Sequence, residues 1–182
     1  MEGGICVSYP LLILSLLKEV SGFMHSLVVP TLDTLRRWLD RLGVSFFECD
    51  TCQALHLPHM QDFDGVFDAK IDLLDNVVLF SAMAEVKPSA LLAVAADLSA
   101  INAGSLTLKA FLDIQDDNLP KLVVCQALHA QVGVSEEQFA AFFRQSEQQI
   151  SMVILEARAQ QLLYTPEEEE KSDRVVNNHF LH

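Results

Sequence analysis

Four residues able to ligate a metal or carry redox chemistry fall within eleven positions: Cys49, Cys52, His56 and His59, in the spacing C-x2-C-x3-H-x2-H. Thiolate sulfur and imidazole nitrogen are the donors that a tetrahedral zinc site takes, at about 2.0–2.3 Å. Known sites usually separate the two ligand pairs by a longer loop, so that both pairs turn inward. Here the stretch Val44 to Leu57 is rich in β-branched, aromatic and small residues and reads as extended. On a strand, Cys52 and His56 point to one side and Cys49 to the other. His59 lies beyond Pro58, so four donors converge only if the segment curls up. A redox role for the cysteine pair needs a helix N-terminus, whose dipole lowers a thiol pKa. No helical pattern follows Cys52, and Glu48 and Asp50 would raise the pKa instead. The expectation is therefore two cysteines in a strand or tight turn, with no metal and no cofactor. Cys49, Cys52, His56 and His59 stand as the candidate zinc set.

The acidic residues Asp62, Asp64, Asp68, Asp72 and Asp75 also cluster. Asp62-Phe63-Asp64-Gly65 touches a calcium-loop pattern, but its third acidic position and closing glutamate are missing. Alternate aspartates on a strand are expected to form a solvated face. There is no Gly-x-Ser-x-Gly elbow and no glycine-rich phosphate loop. His25, His56, His59 and His129 are not spaced near a nucleophile and an acidic orienter. No catalytic residue is assigned, and the chain is expected not to be an enzyme.

The chain has 182 residues, 51% of them apolar, which fits one domain with terminal surplus. Twelve Lys and Arg face 25 Asp and Glu, a formal charge of -13. A phosphate backbone is bound by clustered Lys and Arg, so nucleic acid is not expected as a partner. Anionic membranes are disfavoured on the same ground. The four cysteines, Cys6, Cys49, Cys52 and Cys125, form no disulfide framework, which suggests reduced thiols and a cytoplasmic location. The apolar run Ile5 to Leu17 lacks a positive leader segment and is too short for a span of about 20 residues. No stable membrane insertion is expected. From Met24 onward the chain reads as a complete domain, and residues 1–23 are taken as an extension of doubtful status.

These residues must be positioned by regular elements. Thr31 opens a helix with Leu32, Leu35, Trp38, Leu39 and Leu42 on one stripe, and Gly43 closes it. Strands follow over Val44–Leu57, from Val66 and over Val77–Val86, with a turn at Asp75-Asn76. Pro58 to Gly65 reads as a loop. After a second helix, Leu106–Ile114 and Leu119–Leu128 form another strand pair. Ser135 and Gln138 then make a capping box for a long amphipathic helix to about Leu163. The predicted order is α-β-β-β-α-β-β-α: an α+β domain over residues 24–164, an antiparallel sheet with helices packed on it. Residues 165–182 read as an acidic, flexible tail.

The second helix, Pro88 to Gly104, is apolar nearly all round, with Asp97 almost its sole polar marker. Such a helix is covered on more than one side. It is either a central core helix or part of a homodimer interface, and so small a domain favours the second. Leu91, Leu92, Val94, Ala95 and Leu98 are the expected seam.

Several stretches resemble the enterobacterial YbjN proteins: Ser26–Pro30, Phe46–Asp50, Gln53–Met60, Asp64–Asp72, Phe80–Val86 and Gln115–Gln126. The resemblance runs from Met24 through Leu163 and returns at Asn178 to His182, while residues 1–23 and Thr165–Asn177 depart from it. It implies a fold similar to class I type III secretion chaperones, which are dimers with the second helix at the subunit interface. It also implies a regulator of stress responses, motility, exopolysaccharide production and virulence, without established enzymatic activity. The expected partners are a second copy of the chain and unidentified proteins. A secretion-chaperone role, binding extended client segments, is the alternative, although a shared fold does not carry it.

Overall fold

The computed structural model describes residues 26–49, 51–62, 65–116 and 118–165. The extension at 1–23, the start at Met24 and the acidic tail beyond Thr165 lie outside these residues, as do Asp50, Phe63 and Asp64.

Local signals set the first helix. Thr31 is extended and its hydroxyl accepts the Thr34 N–H, opening α1 (Leu32–Leu42). Gly43, at φ 72°, closes it with its N–H on the Asp40 carbonyl. A residue with a Cβ is strained in that left-handed conformation. Leu35, Trp38 and Leu39 are buried, which aims the helix at the core.

The expected single strand over Val44–Leu57 is instead a hairpin of two short strands, β1 (Phe47–Glu48) and β2 (Leu55–His56), with the cysteine pair at its turn. Two interactions hold the chain there, one local and one from α1. The Cys52 N–H donates back to Cys49 Sγ at 3.3 Å, and the Arg36 guanidinium on α1 grips both oxygens of Glu48 at 2.8 and 2.7 Å. The expected loop after Pro58 contains a one-turn helix, α2 (Pro58–Gln61), which buries Met60.

β3 (Val66–Leu74) and β4 (Val77–Glu85) form the central hairpin. Its turn residues Asp75 and Asn76 both take left-handed conformations, at φ 49° and 63°, the turn that matches the twist of paired strands. After a 3-10 turn at Pro88–Ala90 come α3 (Leu91–Gly104), β5 (Leu108–Asp113), β6 (Lys121–His129) and α4 (Glu136–Ala159). The capping box is present: Ser135 accepts the Gln138 N–H, and the Gln138 side chain accepts the Ser135 N–H.

The six strands make one antiparallel sheet in the order β1-β2-β3-β4-β6-β5. Helix α4 lies across one face, where Phe143 stacks on Phe80 at 5.4 Å and Phe139 meets Trp38 at 5.2 Å. Strand alternation sends Ala69, Ile71, Phe80, Ala82 and Val124 into this core. The other face carries Asp68, Lys70, Ser81, Met83 and Cys125 by the same alternation. α3 lies beside edge strand β5, where Asn102 accepts the Ala110 N–H and donates to the Ala110 carbonyl at 2.8 and 2.9 Å. That amide satisfies backbone groups an edge strand otherwise leaves open to pairing. No helix of the described residues is long and apolar enough to cross a membrane. The architecture is α+β, as expected.

Candidate functional site

The hairpin turn brings together three of the four residues singled out by spacing. One donor atom from each of Cys49, Cys52 and His56 lies within 4.8 Å of the others. The two sulfurs are 2.6 Å apart, and Cys52 Sγ is 3.1 Å from His56 Nε2. His59 does not join them: its Nε2 is 2.7 Å from Glu147 on α4, tying α2 to the long helix. The curling that a site required is therefore present for the cysteines and His56, because the chain reverses between β1 and β2.

His56 is held on three sides. Its Nδ1 lies 2.8 Å from Asp68 Oδ1 on the neighbouring strand, and that same oxygen accepts from Gln61 Nε2 at 3.1 Å. The Phe47 ring stacks on the imidazole at 5.0 Å. The Asp68 side chain is only 15% exposed, so this residue is no part of a solvated acidic stripe. It lies just after a register shift between Val66 and Asp68, on the face opposite its buried neighbour Ala69. Asp72 is likewise engaged, 3.3 Å from Lys70. Asp68 and Phe47 are the site residues that sequence reasoning missed.

The electrostatics follow from these contacts. Hydrogen bonds from the Cys52 thiol, and then from Thr51, bring the Cys49 thiol down to about 6. The shared hydrogen bond with Cys49 pushes Cys52 up. For His56, burial favours the neutral ring, but the bonds to Asp68 and Cys49 outweigh it and the pKa rises. The acidic neighbour thought to oppose ionisation, Glu48, is engaged by Arg36 and its carboxyl is held below the usual range. Cys125 stands apart, its thiol pushed up by burial. The cluster thus joins a readily ionised thiol, a second sulfur and an oriented imidazole.

The expected seam residues divide. Leu92 is 83% exposed and Ala95 is exposed; Leu91 and Leu98 are half-buried. Val94 is 2% exposed and is covered by its own chain. Between α3 and α4 runs a groove of about 860 Å³, lined by Val94, Ile101, Leu108, Met152, Val153 and Leu162 among others. None of the cysteine cluster lines it.

Comparison with known proteins completes the picture. A family model described as "YbjN: Putative bacterial sensory transduction regulator" matches residues 31–175. Proteins titled "Uncharacterized protein YbjN" from Escherichia coli K12 and from Shigella flexneri are each 74% identical over 159 residues, covering 87% of this chain and all of theirs. A crystal structure titled "YbjN, a putative transcription regulator from E. coli" is similar with a TM-score of 0.75 and 78% identity, covering 77% of this chain and 99% of that one. The chain belongs to the YbjN family.

Proposed function

We propose that this protein is a non-catalytic regulator that acts through protein–protein contacts as a homodimer, with α3 as the subunit seam. The observation that carries this reading is the exposed apolar surface of α3, headed by Leu92 at 83% exposure. Apolar patches of this kind mark interaction sites rather than ordinary solvated surface. A second copy is the occupant that fits the charge pattern. Asp97 is the sole charged residue between Lys87 and Lys109, whereas the whole chain carries -13. Two such chains repel over most of their surface, and an uncharged helix is where they can meet. A two-fold contact would set Leu91, Leu92 and Ala95 against their own copies, with Leu98 at the margin. Val94 instead anchors the helix to its own subunit.

With α3 paired, a protein partner is placed on the sheet face where Lys70 and Met83 are partly exposed. The resemblance to YbjN proteins suggests that the processes regulated are stress responses, motility, exopolysaccharide production and virulence, in the cytoplasm. Light scattering over a concentration series tests the seam. The expected result is a dimer that Leu92→Asp converts to monomer; an unchanged dimer in that variant rejects the assignment. A tagged pull-down against an untagged control then tests the adaptor role. A folded, stoichiometric partner supports it, and recovery only of extended, protease-sensitive clients favours the chaperone alternative.

A further inference from the structure

The geometry points to a metal site in which Cys49, Cys52 and His56 hold a thiophilic divalent cation, zinc foremost, with Asp68 as the residue positioning His56. Three independent features meet there. The donor atoms already lie within 4.8 Å of one another, two from a hairpin turn and one from the strand that follows. The imidazole is oriented from behind: Asp68 Oδ1 lies 2.8 Å from Nδ1, and with the neutral ring donating Nδ1–H to that carboxylate the Nε2 lone pair faces the sulfurs. A carboxylate–imidazole–metal row is the usual outer support of a histidine ligand. Cys49 Sγ, finally, accepts the Cys52 N–H at 3.3 Å and lies 3.4 Å from the Thr51 hydroxyl. Both contacts come from the turn itself and fix where that sulfur points.

Without a cation or a proton between them, three electron-rich atoms converge on one point. A cation at that point turns the repulsion into coordination, and the thiol protons leave to solvent. Two thiolates and an imidazole suit zinc and not magnesium or calcium, which take oxygen donors. Three protein ligands leave the fourth tetrahedral position for water or for a donor brought by a partner. The sulfurs, 2.6 Å apart, must open to about 3.7 Å for bonds of about 2.3 Å. Both cysteines are half-buried at the turn and outside the core cluster, so their side chains have room to rotate. His59 is excluded by its bond to Glu147.

The test is cobalt(II) titration of the full chain, free of tags, stripped with chelator and fully reduced. Cobalt bound by thiolates in a tetrahedral site absorbs strongly through sulfur-to-metal charge transfer. One equivalent is expected to bind, and zinc to displace it stoichiometrically. Cys49→Ser and Cys52→Ser are expected to abolish the band. Asp68→Asn is expected to weaken binding about 10–100-fold, the usual effect of losing such a support. His59→Gln is expected to bind as the parent does. Circular dichroism shows which variants are folded, and the half-exposed cysteine positions supply a test if Asp68→Asn fails to fold. Uptake below about a tenth of an equivalent by the reduced protein overturns the proposal. So does undiminished binding in folded Cys52→Ser. Recovery of a metal-free Cys49–Cys52 disulfide from acid-quenched cells also overturns it, in favour of a thiol–disulfide pair.

Discussion

The Ser146 hydroxyl on α4 donates to Gln126 Oε1 on β6 at 3.0 Å, with Ser146 fully buried and Gln126 nearly so. The other end of the Gln126 amide donates to Gln149, one turn further along the same helix. A polar residue on the core face of a central strand is thus satisfied at both ends, and it fixes the long helix in register with the sheet. Losing one partner leaves a buried acceptor without its hydrogen bond, which costs about 1–3 kcal/mol. Ser146→Ala is therefore expected to lower the unfolding free energy by that amount, read as a lower urea midpoint at unchanged slope. Adding Gln126→Met should return part of the loss, since the unpaired group is then gone. A double variant as unstable as the sum of the singles would show that the bridge adds nothing.

How much of this was legible in the sequence depends on the range of the interaction. Gly43, the Asp75-Asn76 turn and the Ser135–Gln138 box are readable because each is made by residues no more than three apart. The α+β order follows from such signals and from hydrophobic period. Asp68 is different. Alternation shows which face of the strand it takes but not that His56, paired with Lys70 on the neighbouring strand, stands diagonally across from it. Glu48 looked like an acid bearing on Cys49 because its partner Arg36 lies twelve residues upstream, on another element. His59 looked like a ligand because Glu147 lies 88 residues away.

Cys49 is expected to be the most reactive thiol of the described residues. Its pKa of about 6 makes it chiefly thiolate at neutral pH, while Cys52 and Cys125 are both shifted upward. The rate of alkylation follows the thiolate fraction, so it should climb as pH rises through about 6 and level off above. Limiting iodoacetamide on reduced, chelator-treated protein, followed by peptide mapping, measures this directly. Thr51→Ala removes one of the bonds that hold the pKa down and should move the midpoint upward. Equal labelling of Cys49 and Cys125 at neutral pH would contradict the assignment.

Gly133 pins the start of the described chain to the entry of α4. It takes φ 90°, and a Cβ there would meet Leu27 Cβ at 3.0 Å and the Val28 nitrogen at 3.2 Å. Next to it, Val28 and Val134 exchange two backbone hydrogen bonds of 3.0 Å each. Gly133→Ala must strain this backbone or push the 26–30 segment away, at a cost of about 1–3 kcal/mol. Hydrogen exchange is expected to quicken at the Val28 and Val134 amides and to stay slow at the β3–β4 hairpin. Unchanged protection at Val28 would mean that the segment is held by its side chains instead.

Val94 and Leu92, two residues apart on α3, separate folding from the proposed assembly. Val94 is buried within its own chain and Leu92 is open to solvent. Val94→Ala removes buried methyl groups and should cost about 2 kcal/mol in unfolding free energy at any protein concentration. Leu92→Ala removes nothing that the single subunit buries, so its effect should appear only through dimerisation. Because a dimer is stabilised by mass action, parent Tm should rise with protein concentration, and that slope should flatten in Leu92→Ala. In the monomeric background of Leu92→Asp, Val94→Ala should keep its full cost. If Leu92→Ala instead lowers Tm equally at every concentration, the exposed leucine packs within its own chain, and the seam must lie elsewhere, with the Met152 and Leu155 side of the groove next to be tried.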